Sequence, residues 1–220
     1  MTPPRPTFDR LAPLYHVLER LTYGGVLHAC RTAHLPRLAA CRKALILGDG
    51  DGRFLADFVR DNPAAAVDSL DVSPAMLELA RRRVAAIAGA AARVRFVAGD
   101  ARAVALPTAG YDLVVTNFFL DCFPADQMCG VIDRVAAACA ANAVWVDGDF
   151  REPPAGVSRV AARYLLAGMY AFFRLTTRIP ARRLVDPAPF LTARGFTLRS
   201  EATRLRGFLS SRLWVRNQVR

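Results

Sequence analysis

Lysine is almost missing from this chain. Of 30 basic residues among 220, only Lys43 is lysine and the rest are arginine. The formal net charge is +11, yet no dense basic run concentrates it, which argues against a nucleic-acid footprint. With so much alanine present, the arginine skew reads as codon bias and a solvated basic surface. The chain is also poor in metal-ligand patterns. Cys30, Cys41, Cys122, Cys129 and Cys139 form no C-x-x-C pair and have no histidine at ligand spacing, so reduced, mostly buried thiols are expected. The Pro-rich N-terminus lacks a charged-then-apolar leader, which sets the expectation of a cytoplasmic protein without a cleaved signal. The uncharged stretch from Tyr164 to Phe173 is closed by Arg163 and Arg174 and is too short to cross a bilayer. It suits peripheral contact with a membrane or the cover of an apolar pocket. With 53% hydrophobic residues and no repeat or low-complexity linker, one sizeable core is expected.

What is present is a regular alternation of strand and helix signals. Phe8, Leu11, Tyr15 and Leu18 recur at helical spacing, Gly24-Gly25 ends that segment, and a second short helix is expected from Val26 to Pro36. Strands are expected at Ala44 to Leu47, Ala66 to Leu70, Val94 to Ala98, Tyr111 to Thr116 and Ala143 to Val146. Between them, Phe54, Phe58 and Val59 mark an inward helical face that Asn62-Pro63 stops. Ser73-Pro74 reads as an N-cap and first helical residue ahead of Met76, Ala80, Val84 and Ile87. Met128, Val131, Ile132, Val135 and Cys139 share one side of a helix that begins at Pro124. The alternation predicts an α/β fold with a doubly wound, mostly parallel sheet. Beyond it come a helix from about Val157 to Leu175, a short one near Pro187 to Ala193, and strands Phe196 to Arg204 and Phe208 to Val215. A turn at Arg206-Gly207 makes the last two an antiparallel hairpin.

The chemistry concentrates where the parallel strands end, the place where open α/β sheets bind ligands. Gly48, Gly50 and Gly52 give G-x-G-x-G after the first strand, with Arg53 where a dinucleotide fingerprint has its last glycine. Asp49 and Asp51 beside that loop would repel a pyrophosphate and favour a cationic ligand. Of the two, Asp49 is favoured for a polar cofactor site; the alternatives are loop solvation for either and, for Asp51, a cap on the next helix. Asp71 ends the second strand 19 residues after Gly52 (71 − 52), where a carboxylate accepts hydrogen bonds from ribose hydroxyls. Asp100 follows the third strand and suits an adenine amino group. Asn117-Phe118 follows the fourth, and Phe118 with Met76 offers apolar contact to a ring.

These segments resemble class I S-adenosylmethionine-dependent methyltransferases, through LILGDGDG, LDVSPAMLELAR, VRFVAGDA and YDLVVTNFFLDCF. The N-terminal FDRLAPLY and the later DGDF are similar to the ubiquinone and menaquinone C-methyltransferase-like branch, although His16 stands where that branch has aspartate. The resemblance implies a Rossmann-like sheet of seven strands with the last inserted antiparallel, and S-adenosyl-L-methionine as cofactor. It implies cofactor contacts from Tyr15, Gly48, Asp49, Gly50, Gly52, Asp71, Val72, Met76, Asp100, Ala101, Asn117 and Phe118. The chain then divides as one methyltransferase domain: a helical N-terminal cap over 1–40, a cofactor-binding core over 43–150, a helical substrate-side insertion over 151–195 and a terminal hairpin over 196–220.

Methyl transfer from a sulfonium is an in-line displacement that rests on alignment and exclusion of water, with a base needed only for an acceptor that must lose a proton. His16 is the leading catalytic candidate, its ordinary pKa lying near neutrality; Asp121 and Tyr15 rank behind it. The expected acceptor is a hydrophobic or aromatic small molecule, with Tyr164 to Phe173 as its roof. Alternatives are RNA methylation, drawn from the charge, and a non-catalytic cofactor-binding or membrane-surface module. Asn117-Phe118-Phe119-Leu120 lacks the N-P-P-Y signature of amino-directed nucleic-acid methyltransferases, which lowers the nucleic-acid reading.

Overall fold

The computed structural model describes residues 25–106, 110–153, 155, 157–177 and 179–217. Tyr15 and His16, with the rest of the expected N-terminal helix, lie outside these residues.

The described chain runs α1 (Val26–Arg31), β1 (Lys43–Leu47), α2 (Arg53–Asp61), β2 (Ala66–Asp71), α3 (Pro74–Ala85), β3 (Val94–Ala98), β4 (Tyr111–Asn117), α4 (Ala125–Ala138) and β5 (Cys139–Phe150). It ends with α5 (Val157–Thr177), α6 (Ala188–Ala193), β6 (Phe196–Arg204) and β7 (Leu209–Arg216). Seven strands form one sheet in the order β3-β2-β1-β4-β5-β7-β6. The first five strands in that order are parallel, and β7 runs antiparallel to both β5 and β6. The hairpin partner β6, rather than the antiparallel strand itself, therefore forms the edge.

Side-chain alternation along the central strands builds a core on each face of the sheet. Ala44, Ile46, Leu113 and Val115 pack with Phe54, Phe58 and Val59 of α2 and Ala80 and Val84 of α3. Leu45, Leu47 and Val114 pack on the other face with Met128, Ile132 and Val135 of α4 and with Trp145. Phe54 and Phe58 are fully buried, each contributing roughly 1.5–3 kcal/mol of transfer free energy. At the start of α3, Ser73 Oγ accepts from Met76 N–H at 3.2 Å and Pro74 occupies the first turn, as the sequence predicts.

Three boundaries differ from the sequence reading. The first helix stops at Arg31, and the chain reaches Pro36 through a turn and a 3-10 segment, Leu35–Arg37. Cys139 begins β5 instead of closing α4, and β5 continues four residues past Val146. The extension through Asp147 and Asp149 reads as polar loop in one dimension. It is strand because β7 pairs with it from Val144↔Val215 to Phe150↔Leu209, bringing Arg212 opposite Asp147. Arg212 Nη2 lies 2.7 Å from Asp147 Oδ2, the two side chains 4% and 0% exposed, and Arg212 Nη1 lies 2.8 Å from Asp186. The hairpin turn falls where the sequence reading put it, as a 3-10 turn, Leu205–Gly207, with Leu205 and Arg206 at positive φ.

Candidate active site

The loops after β1, β2, β3 and β4 open onto one cavity of about 450 Å³, within the range of small-molecule sites. Gly48, Gly50, Asp71, Val72, Met76, Asp100, Ala101 and Phe118 all lie on its wall. Asp49, Gly52 and Asn117 do not, and each has a different occupation.

The glycine loop turns through positive φ at Gly48 (64°), Gly50 (60°) and Gly52 (79°). Gly52 caps α2 and presses on α3: a Cβ there would meet Ala80 Cβ at 2.5 Å. Gly50 faces open space, its nearest neighbour being Met76 Sδ at 3.9 Å from a would-be Cβ. Both loop carboxylates are engaged by the chain itself. Asp49 Oδ2 accepts from Leu55 N–H at 2.9 Å in the first turn of α2, while its Oδ1 is buried without a partner. Burial lifts the Asp49 carboxyl to about 7, opposed by the Leu55 N–H and Arg31. Asp51 caps nothing: its Oδ2 takes Arg53 Nε at 3.0 Å and Arg83 Nη2 at 2.8 Å. The loop thus carries less free negative charge than its sequence implies.

Asp71 stands at the end of β2 with Oδ1 accepting from Ser73 N–H at 2.9 Å, which fixes its carboxylate at the cavity wall. Asp100 is held differently. Arg102 contacts both of its oxygens, with Nη2 2.6 Å from Oδ2, and passes on to Gln127 at 2.8 Å. The charge at that corner is a pair rather than a lone carboxylate. Asn117 is buried with neither amide atom partnered, its Oδ1 2.4 Å from where a Cβ on Gly148 would stand. Phe118, next along, sits at φ 53°, unusual for a bulky residue, and its N–H donates to Gly148 O at 2.6 Å. That conformation turns its ring to the cavity, where Phe150 meets it edge-on at 5.1 Å and the Arg31 guanidinium lies over it at 5.1 Å.

The far half of the cavity is a different environment. Leu27 and Arg31 of α1, Phe119, Asp121, Cys122 and Phe123 after β4, and Phe150 of β5 form its sides. Tyr164, Leu165, Met169, Tyr170, Phe172 and Phe173 of α5 close it. Asp121 is its buried acid: desolvation and Asp147 raise that carboxyl to about 7. Burial also drives the Cys122 thiol and the Tyr170 hydroxyl upward, so both stay neutral. Sequence reasoning named Asp121 among the lesser candidates and missed Arg31, Arg102, Cys122 and Phe150. Arg31 comes from outside the strand-end pattern, and nothing local marks it. All five cysteines are free, and no cluster of metal-ligating side chains occurs among the described residues. No helix among them is long and apolar enough to cross a membrane.

A family model described as a methyltransferase domain matches residues 44–152. The demethylmenaquinone methyltransferase of Thermus thermophilus is 29% identical over 213 residues, covering 88% of this chain and 93% of that protein. The demethylmenaquinone methyltransferase of Deinococcus radiodurans is 31% identical over 113 residues, covering 50% of this chain and 46% of that one. Among solved structures, the mitomycin 7-O-methyltransferase matches with a TM-score of 0.68 at 18% identity, covering 96% of this chain and 60% of the other. An O-methyltransferase from neocarzinostatin biosynthesis, in complex with S-adenosylmethionine and 2-hydroxy-5-methyl naphthoic acid, gives 0.63 at 17%, covering 92% and 55%. The chain spans about three fifths of the length of these solved chains.

The seven-stranded sheet and the family match define a class I S-adenosylmethionine-dependent methyltransferase, an enzyme with S-adenosylmethionine as its cofactor. Within that class the chain is related to the quinone methyltransferases.

Proposed function

We propose that this enzyme methylates a hydrophobic, aromatic small molecule. The observation that carries the reading is the continuity of the cavity, from the glycine loop, Asp71 and Asp100 to an aromatic chamber beneath α5. Relatives named for demethylmenaquinone and neighbours named for mitomycin and a naphthoic acid complex support an aromatic acceptor.

The residues present suit the cofactor. The Gly50 position leaves backbone exposed to the cavity with no side chain in the way, and Asp71 offers an anchored carboxylate for ribose hydroxyls. Val72, Met76, Ala101 and Phe118 give apolar contact, and the Asp100–Arg102 pair bounds the polar edge. Gly48 would lend backbone, while Asp49, Gly52 and Asn117 support the cradle without lining it. When bound, S-adenosylmethionine supplies an electrophilic methyl group on a sulfonium. The chain's own contribution is alignment of the acceptor between Phe118, Phe150 and the α5 side chains, and exclusion of water by that apolar wall.

Calorimetry with S-adenosylmethionine, followed by incubation with labelled donor and a panel of naphthols and hydroquinones, tests the reading. Binding by the wild type and label in the aromatic acceptors are expected. Label confined to RNA or protein would overturn the aromatic acceptor, and absence of cofactor binding would overturn the whole site.

A further inference from the structure

The far end of the cavity holds a carboxyl arrangement that binding alone does not require. The turn Leu120–Cys122 delivers Asp121 to the cavity wall, and its side chain is almost fully buried. Asp149 of β5 stands behind it. Its Oδ2 accepts the Asp121 N–H at 3.2 Å and its Oδ1 accepts the Phe150 N–H at 2.7 Å. From α5, the Tyr170 hydroxyl donates to the Asp121 carbonyl oxygen at 3.4 Å. Asp121 is therefore gripped by its backbone from two elements, while its carboxyl borders the aromatic chamber with Cys122 Sγ donating to Oδ1 at 3.7 Å. Two buried acids placed side by side destabilise the fold unless protonated, so the arrangement calls for a role.

We propose that Asp121 takes the proton released by an aromatic hydroxyl acceptor, and that Asp149 is its positioning residue. The proposal rests on the aromatic-acceptor reading above. In the step, the acceptor O–H bond breaks and a new O–H bond forms on the Asp121 carboxylate. The electron pair left on the acceptor oxygen enters its new bond to the methyl carbon, and the pair of the broken C–S bond stays on sulfur.

The electrostatics agree with that use. The groups facing the pair are Cys122 on the same turn, Asp147 on β5, Tyr170 on α5, Cys30 on α1 and Arg212 on β7, and Asp71 at the end of β2 acts on Cys122. Arg212, the cation among them, is engaged by Asp147 and Asp186. Burial and the repulsion of Asp121 and Asp147 push Asp149 well above the ordinary carboxylate range. Asp121 itself is raised to about 7, where a base is both available and able to hold a proton.

The experiment is a pH–rate profile with 1-naphthol as acceptor, on the wild type and on Asp121→Asn, Asp149→Asn and His16→Ala. The wild-type kcat should rise through a limb near pH 7. Asp121→Asn should lose that limb and about 10²–10⁴ in kcat with cofactor affinity unchanged in calorimetry. Asp149→Asn keeps an acceptor for only one of the two N–H groups and removes one repelling acid, so the limb should move to lower pH with a lowered plateau. A readout independent of turnover is the infrared carbonyl band of protonated carboxyls: one band should titrate near pH 7 and be missing in Asp121→Asn. Retention of kcat and limb by Asp121→Asn, or loss of the limb in His16→Ala alone, overturns the proposal. So does an Asp121 band that titrates with ordinary carboxylates, whatever the acceptor. Failure of the wild type to methylate any aromatic, with that band present near pH 7, refutes the acceptor reading and leaves the carboxyl pair standing.

Discussion

Replacing Gly52 by alanine places a methyl group 2.5 Å from Ala80 Cβ and 2.7 Å from Ala80 Cα, where α2 begins against α3. Two costs add. At φ 79° an L-residue is disfavoured by about 1–2 kcal/mol. Overpacking against a helix backbone that cannot swing aside costs roughly 1–3 kcal/mol more. The lower entropy of the unfolded alanine chain returns about 0.4–1 kcal/mol. The net loss is about 1–5 kcal/mol, against the roughly 5–15 kcal/mol that holds a domain together. Gly89 supplies the control, because at φ 69° it has no atom within 4 Å of its would-be Cβ. Gly89→Ala should therefore cost only the backbone part, about 1 kcal/mol. Urea unfolding of both variants, with equal m-values, reads the difference directly. Equal destabilisation by the two would refute the claim that helix packing, rather than backbone conformation alone, demands glycine at 52.

Asp71→Ala should weaken S-adenosylmethionine by about 10- to 100-fold in calorimetry while moving the urea midpoint little, since the lost contacts are to a charged acceptor at the cavity wall. Arg212→Met leaves Asp147 buried without its cation and should cost about 3–5 kcal/mol, read by denaturant unfolding. Asp147→Leu added to it should recover much of that loss. For Asp49 the sign follows from a folded pKa of about 7, above that of an unfolded aspartate: the native state binds the extra proton between about pH 4 and 7. Its stabilising contribution is complete below that window and is lost as pH rises through it, by up to about 4 kcal/mol. Asp49→Asn, which keeps an acceptor for Leu55 N–H, should flatten the stability profile over that range, measured as urea midpoints at successive pH values.

Most of the sheet was legible along the chain because its elements announce themselves locally. Buried parallel strands read as apolar runs, and Ser73-Pro74 or Asn62-Pro63 mark helix ends by chemistry confined to a few residues. The C-terminal half of β5 was not legible. Asp147 and Asp149 break the apolar pattern, and the partner that makes Asp147 tolerable, Arg212, is 65 residues away. Distance in sequence also hid Arg31, which reaches Phe118 from a helix that carries no motif.

The glycine-rich loop after β1 shows the division. Sequence alone determined that three glycines follow a buried strand, that acids stand at the ends of the next two strands, and hence that a nucleoside-bearing cofactor meets a Rossmann-like sheet. Those are consequences of short-range spacing. Only the tertiary structure decided what each acid does. Asp51 is neutralised by Arg53 and Arg83, Asp49 is buried against the first turn of α2, Asp100 is clasped by Arg102, and Asp71 stays at the wall. Charge and hydrogen bonding in a folded chain depend on which groups are brought within a few ångströms and removed from water, and a one-dimensional pattern does not carry that information.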